Sequence, residues 1–110
     1  MPYLKLISLD CIDQEDDTGP DEPYLVINGK KIDCGSMSEG QSKSLLNEGM
    51  FKFDGNILVN LWDYDWPDSD DNLGQGRITA TDAIDPEREL TTKFKKDDAE
   101  YNLNYKVIPS

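Results

Sequence analysis

Ala99, Tyr101, Leu103, Tyr105 and Val107 alternate with Glu100, Asn102, Asn104, Lys106 and Ile108. A period of two is the signature of a strand with one buried face. Residues 3–11 are similarly apolar, but their parity changes between Leu6 and Ile7, which predicts a bulge or burial on both faces. Residues 24–27 read as a short strand, Asn28-Gly29 as a two-residue hairpin turn, and residues 30–34 as the returning strand. Residues 42–47 have no clear period and are assigned a weak strand. Residues 56–62 carry the densest run of β formers and predict a central strand. Residues 73–79 read as the next strand. Asp82 and Pro86 within 81–89 suggest one helical turn, and 89–95 a further short strand. Seven or eight short strands separated by turns, with no repeat and no flexible linker, predict an all-β fold. The expected form is an antiparallel β-sandwich, as a single domain spanning residues 1–110.

Charge adds the next constraint. The 110 residues carry 23 acids against 11 bases, a formal charge of −12. Nucleic acid, which demands a basic face, is excluded as a partner, and no general attraction to anionic membranes follows. Eleven of the 23 acids fall in two windows, 13–22 and 63–71, which argues for a site rather than an evenly solvated surface. Histidine is absent, removing the commonest zinc ligand and the commonest catalytic base. Without a Cys-based dyad or a phosphate loop either, the chain is not expected to be an enzyme. Cys11 and Cys34 are too few for a zinc cluster; a disulfide and two buried free thiols both fit, the second being the commoner usage. The stretch Met1-Pro2-Tyr3-Leu4-Lys5 lacks the pattern of a signal peptide, and no apolar run reaches transmembrane length. The expectation is a soluble, cytoplasmic monomer.

The later window holds Asp63, Asp65, Asp68, Asp70 and Asp71, directly after the central strand. Carboxylates at this density repel one another unless a cation sits among them, and oxygen ligands favour a hard divalent ion, calcium first. Calcium takes six to eight oxygens, more than one short loop supplies, so the two acidic loops are expected to share it. That requires the strands entering them to run in the same direction in space. An EF-hand does not fit. Counted from Asp63, the sixth position is Asp68 where glycine belongs and the twelfth is Gly74 where glutamate belongs; counted from Asp68, the same positions are Leu73 and Thr79.

The spacing Asp63-x-Asp65, Asp71, Leu73-Gly74 resembles the third calcium-binding loop of C2 domains, the modules of synaptotagmins, protein kinases C and phospholipases. It matches that family's D-x-D-x5-D-x2-G pattern without a gap. Asp16-Asp17-Thr18-Gly19-Pro20-Asp21-Glu22-Pro23-Tyr24 likewise resembles the family's first loop, D-x5-D-P-Y. The resemblance covers both loops and their flanking strands, roughly half the chain. It implies an eight-stranded antiparallel sandwich with loops clustered at one end, beginning with the strand that enters loop one. Asp16, Asp63, Asp65 and Asp71 take the positions of side-chain ligands. Glu22 stands where the family has Asp, and its longer side chain opens the alternative that Asp21 substitutes. Main-chain carbonyls near Asp17, Tyr64 or Asp70 would complete the shell, around two ions rather than one.

The resemblance also implies calcium-dependent docking on phospholipid membranes. Trp66, at the tip of loop three, is the membrane-anchor candidate, with packing against its own loop or Pro67 as the alternative. Lys30-Lys31 is a basic pair near a strand that could meet lipid head groups, or it is a solvated edge. Two calcium ions would move the formal charge only from −12 to −8. A calcium-responsive protein adaptor or a calcium buffer without lipid binding is therefore an equal alternative, and a C2-like domain with a non-functional metal site a third.

Overall fold

A computed structural model describes residues 1–15, 19–96 and 98–110. Nine strands are described: β1 (Tyr3–Asp13), β2 (Pro23–Ile27), β3 (Lys30–Asp33), β4 (Ser42–Ser44), β5 (Met50–Lys52), β6 (Asn56–Asp63), β7 (Asp71–Thr79), β8 (Leu90–Lys96) and β9 (Ala99–Ile108), with a 3-10 helix at Ala80–Ile84. They form two antiparallel sheets. One has the order β4-β1-β9-β8 with β5 also on β1, and the other has the order β3-β2-β6-β7. The sandwich is as expected, and the count of eight differs only at one edge. There β4 pairs with Ser8–Asp10 and β5 with Tyr3–Lys5, end to end along β1.

The break has a local cause. The β1–β9 register shifts between Leu6 and Ser8, so Ile7 is the bulged residue that the parity change foretold. Ile7 turns its carbonyl to the N–H of buried Leu45, at 2.8 Å, in the segment that separates β4 from β5. The strand expected over 42–47 therefore ends at Ser44. The Asn28-Gly29 turn forms as read. Both residues have positive φ (51° and 76°), the pairing of a two-residue hairpin that only residues tolerant of left-handed backbone make cheaply.

The core lies between the sheets and is made by inward parity. Ile57, Val59 and Leu61 of β6, and Ala99, Tyr101, Leu103, Tyr105 and Val107 of β9, are all buried. Each large side chain so buried contributes about 1.5–3 kcal/mol relative to exposure. Cys11 and Cys34 are buried free thiols; burial pushes Cys34 up to about 12 and Cys11 upward as well. Among the described residues, no helix is long and apolar enough to cross a membrane.

Strand directions decide where the loops go. β1 and β6 lie in different sheets but both run toward the same end, which brings together loop 14–22, loop 34–41, loop 64–70 and the β8–β9 turn.

Candidate metal centre

Buried parity carries a carboxylate into this end. In β6 the inward series Ile57, Val59, Leu61 continues to Asp63, which is 2% exposed. Asp63 Oδ1 accepts the N–H of Glu22 at 2.8 Å, and the N–H of Tyr64 donates to the Glu22 carbonyl at 3.0 Å, extending the β2–β6 ladder into both acidic loops. Across the other ladder Asp63 lies directly opposite Asp71. Like charges in that position repel.

The third member comes from loop 14–22. Carboxylate oxygens of Glu15, Asp63 and Asp71 lie within 4.8 Å of one another. Oxygens up to about 4.8 Å apart can share one ion when each bonds at about 2.3–2.6 Å, so the donor chemistry and spacing suit calcium. Glu15 was not among the residues singled out from sequence. The D-x5-D frame starts one residue later, and only the general acidity of 13–22 pointed to it.

The other expected ligands are placed as follows. Asp16 lies outside the described residues. Asp65 is exposed on loop 64–70 and outside the three-carboxylate group. Glu22 is exposed and follows the outward parity of Tyr24, lining a cleft of about 370 Å³ with Tyr24, Lys31, Asp33 and Tyr64. Asp21 has the opposite parity and is fully buried. Its Oδ2 accepts the Tyr101 phenol at 2.6 Å and the Glu15 N–H at 2.8 Å. These bonds offset part of the cost of burying a carboxylate. Burial, then the bond to Asp21, pushes the Tyr101 phenol far above its ordinary range.

Loop 64–70 is closed by Asp70. Its Oδ2 accepts a hydrogen bond from the Tyr24 phenol and its Oδ1 the N–H of Asp65 at 3.2 Å. The Tyr24 bond, then the Asp65 N–H, holds the Asp70 carboxyl below its usual range, while burial and the same bond push Tyr24 up to about 12. The Trp66–Pro67 peptide is cis, and Trp66 is 76% exposed. The β6–β7 register shifts between Leu61 and Trp62, which makes Leu73 the bulged residue, and the Gly74 N–H donates to Asn72 Oδ1 at 3.0 Å. Lys31 stands over the Tyr24 ring at 4.3 Å and Lys30 over Phe51 at 5.7 Å.

No family model matches the chain, and no curated protein matches it in sequence. Among solved structures, the first C2 domain (domain A) of plant extended synaptotagmin 1 is similar over 99% of this chain and 94% of its own, with a TM-score of 0.64 at 11% identity. The calcium-bound pair of C2 domains, A and B, of extended synaptotagmin 2 is similar over 97% of this chain and 44% of its own, with a TM-score of 0.57 at 20% identity. Human GIVD cytosolic phospholipase A2 is similar over 99% of this chain but only 17% of its own, with a TM-score of 0.59 at 12% identity. The chain has the C2 fold.

Proposed function

We propose that residues 1–110 act as one C2-like, non-enzymatic domain that binds calcium jointly through its two acidic loops. The observation that carries this reading is the meeting of Glu15, Asp63 and Asp71, from loop 14–22, β6 and β7, within 4.8 Å. These three are the primary ligands. The family resemblance adds Asp16, Asp65 and Glu22 as further ligand candidates, Asp16 lying outside the described residues, and two ions rather than one. A bound cation would cancel the repulsion among the carboxylates and offer open coordination positions to phosphate oxygens. The chain's own contribution is to hold the carboxylates in place: the Glu22 N–H fixes Asp63, and the β6–β7 ladder fixes Asp71 opposite it.

Thermal unfolding against free calcium tests this reading. Stability should grow with the logarithm of calcium above the dissociation constant, and magnesium, which prefers tighter octahedral geometry and keeps its waters, should do less. An unfolding midpoint indifferent to millimolar calcium sinks it.

Membrane docking is the favoured use of the loaded site, in a cytoplasmic, membrane-peripheral monomer. The supporting observation is the apolar rim: Trp66 is 76% exposed, Ile12 47% and Tyr64 45%, all at the end that carries the acids. Liposome co-sedimentation should give calcium-dependent pelleting that Trp66→Ala abolishes. Calcium uptake without pelleting would favour the second reading, a calcium-dependent protein adaptor or buffer. The charge supports that alternative, since two ions leave the protein at −8 from its −12.

A further inference from the structure

Each acidic loop commits one carboxylate to a tyrosine. In loop 14–22, Asp21 accepts the phenol of Tyr101, eighty residues away on β9, and the same oxygen accepts the N–H of Glu15. Asp21 is also pinned at its backbone, which exchanges hydrogen bonds of 2.9 and 2.8 Å with Met37. In loop 64–70, Asp70 accepts the phenol of Tyr24 on β2 and the N–H of Asp65. The plan is the same twice. A tyrosine rooted in a strand, one from each sheet, grips a loop aspartate, and that aspartate grips the backbone of another acidic residue in its own loop.

The two backbones held are informative. Glu15 belongs to the three-carboxylate group, and Asp65 is the second acid of the Asp63-x-Asp65 pattern. Asp21 and Asp70 are outside that group, although they add to the negative charge around it. A loop crowded with carboxylates tends to spread when no cation is present, and a spread loop binds only after it is gathered, which lowers apparent affinity by the fraction already gathered. Hydrogen bonds from neutral phenols to carboxylates oppose the spreading without adding a competing positive charge.

We propose that Tyr101–Asp21 and Tyr24–Asp70 are positioning pairs that hold the two loops gathered for the cation, so that Asp21 and Asp70 set affinity through Glu15 and Asp65 without being ligands. The inference rests on the calcium reading of the site. It gives the acids separate roles, in which Glu15, Asp63 and Asp71 face the ion while Asp21 and Asp70 hold the frame.

Calorimetric calcium titration of the whole chain distinguishes the roles, with near-ultraviolet circular dichroism and calcium-free melting as checks on the fold. Tyr101→Phe and Tyr24→Phe should each weaken calcium binding by roughly three- to tenfold, on the scale of one hydrogen bond, with the number of ions unchanged. Asp21→Ala should match Tyr101→Phe. Asp21→Asn, whose amide oxygen still accepts from the phenol, should recover most of the loss. A ligand would behave differently, because an amide in place of a coordinating carboxylate leaves calcium binding weak. Asp21→Asn as poor as Asp63→Asn, or full affinity in both phenylalanine variants, overturns the proposal. Should Tyr101→Phe fail to fold, the half-buried Tyr24→Phe and the comparison of Asp21→Asn with Asp63→Asn decide it. A wild-type chain that takes up no calcium removes the underlying reading and this inference with it, a result distinct from normal uptake with unaffected variants.

Discussion

Asp63 and Asp71 face each other across the ends of β6 and β7, a like-charge cross-strand pair that by itself disfavours the fold. Asp71→Asn should therefore raise calcium-free stability by roughly 0.2–1 kcal/mol, read by urea unfolding, while weakening calcium binding at least about tenfold. Glu15→Gln should weaken binding comparably, because it removes the only described carboxylate that loop 14–22 brings to the group. Legibility at this scale was uneven, for physical reasons. Asp63 and Asp71 could be found because their spacing, Asp63-x-Asp65 and then Asp71, is written in the sequence, and the structure sets the two opposite each other at the ends of β6 and β7. Glu15 could not, since it sits beyond the end of β1, where side-chain direction depends on tertiary hydrogen bonds such as the one from its own N–H to Asp21. The choice between Asp21 and Glu22 was open for the same reason. Neighbours in an extended chain point opposite ways, and only the position of Tyr101 reveals that Asp21 is the inward one.

Among the elements, the bulge in β7 does the most to shape the site. Leu73 is the extra residue, and Gly74, at φ 137°, takes a backbone conformation that side-chain-bearing residues rarely adopt. A Cβ on Gly74 would lie 3.2 Å from Phe94 Cδ1 on β8. Gly74→Ala should cost about 1–3 kcal/mol in urea unfolding and blunt the calcium response, because the strand that carries Asp71 must shift. This gives the Asp71-x2-Gly74 spacing a structural reason beside its family resemblance. Most elements were legible for the same cause: alternation in β9, the parity change at Ile7 and the Asn28-Gly29 turn are short-range signals that the sheets obey. The split edge was not. β5 is only Met50–Lys52, too short to show a period, and its pairing with Tyr3–Lys5 is a contact distant in sequence.

At the scale of the whole molecule, the fold keeps several weakly acidic groups protonated. Burial raises Cys11 and Cys34 from the ordinary 9.0, Cys34 to about 12, and raises Tyr24, Tyr101 and Tyr105 from the ordinary 10.0, Tyr24 to about 12. The native state thus holds protons that the unfolded chain gives up first. Stability from these groups is complete below about pH 9 and falls as the pH rises from there through about 12. Urea midpoints across pH 7–11 should be flat at first and then decline on the alkaline side. The same molecule gathers Glu15, Asp63 and Asp71 at one end of the sandwich, where Trp66 is also exposed, which is the asymmetry the calcium reading explains. The most direct test of that reading is calorimetric titration of calcium into the wild-type chain, Asp63→Asn and Asp54→Asn, the last altering an exposed acid at the opposite end of β6. Saturable uptake by wild type and Asp54→Asn, with Asp63→Asn weaker by at least about tenfold, is the expected result. No saturable heat from the wild type at millimolar calcium, or equal binding by all three, would contradict it.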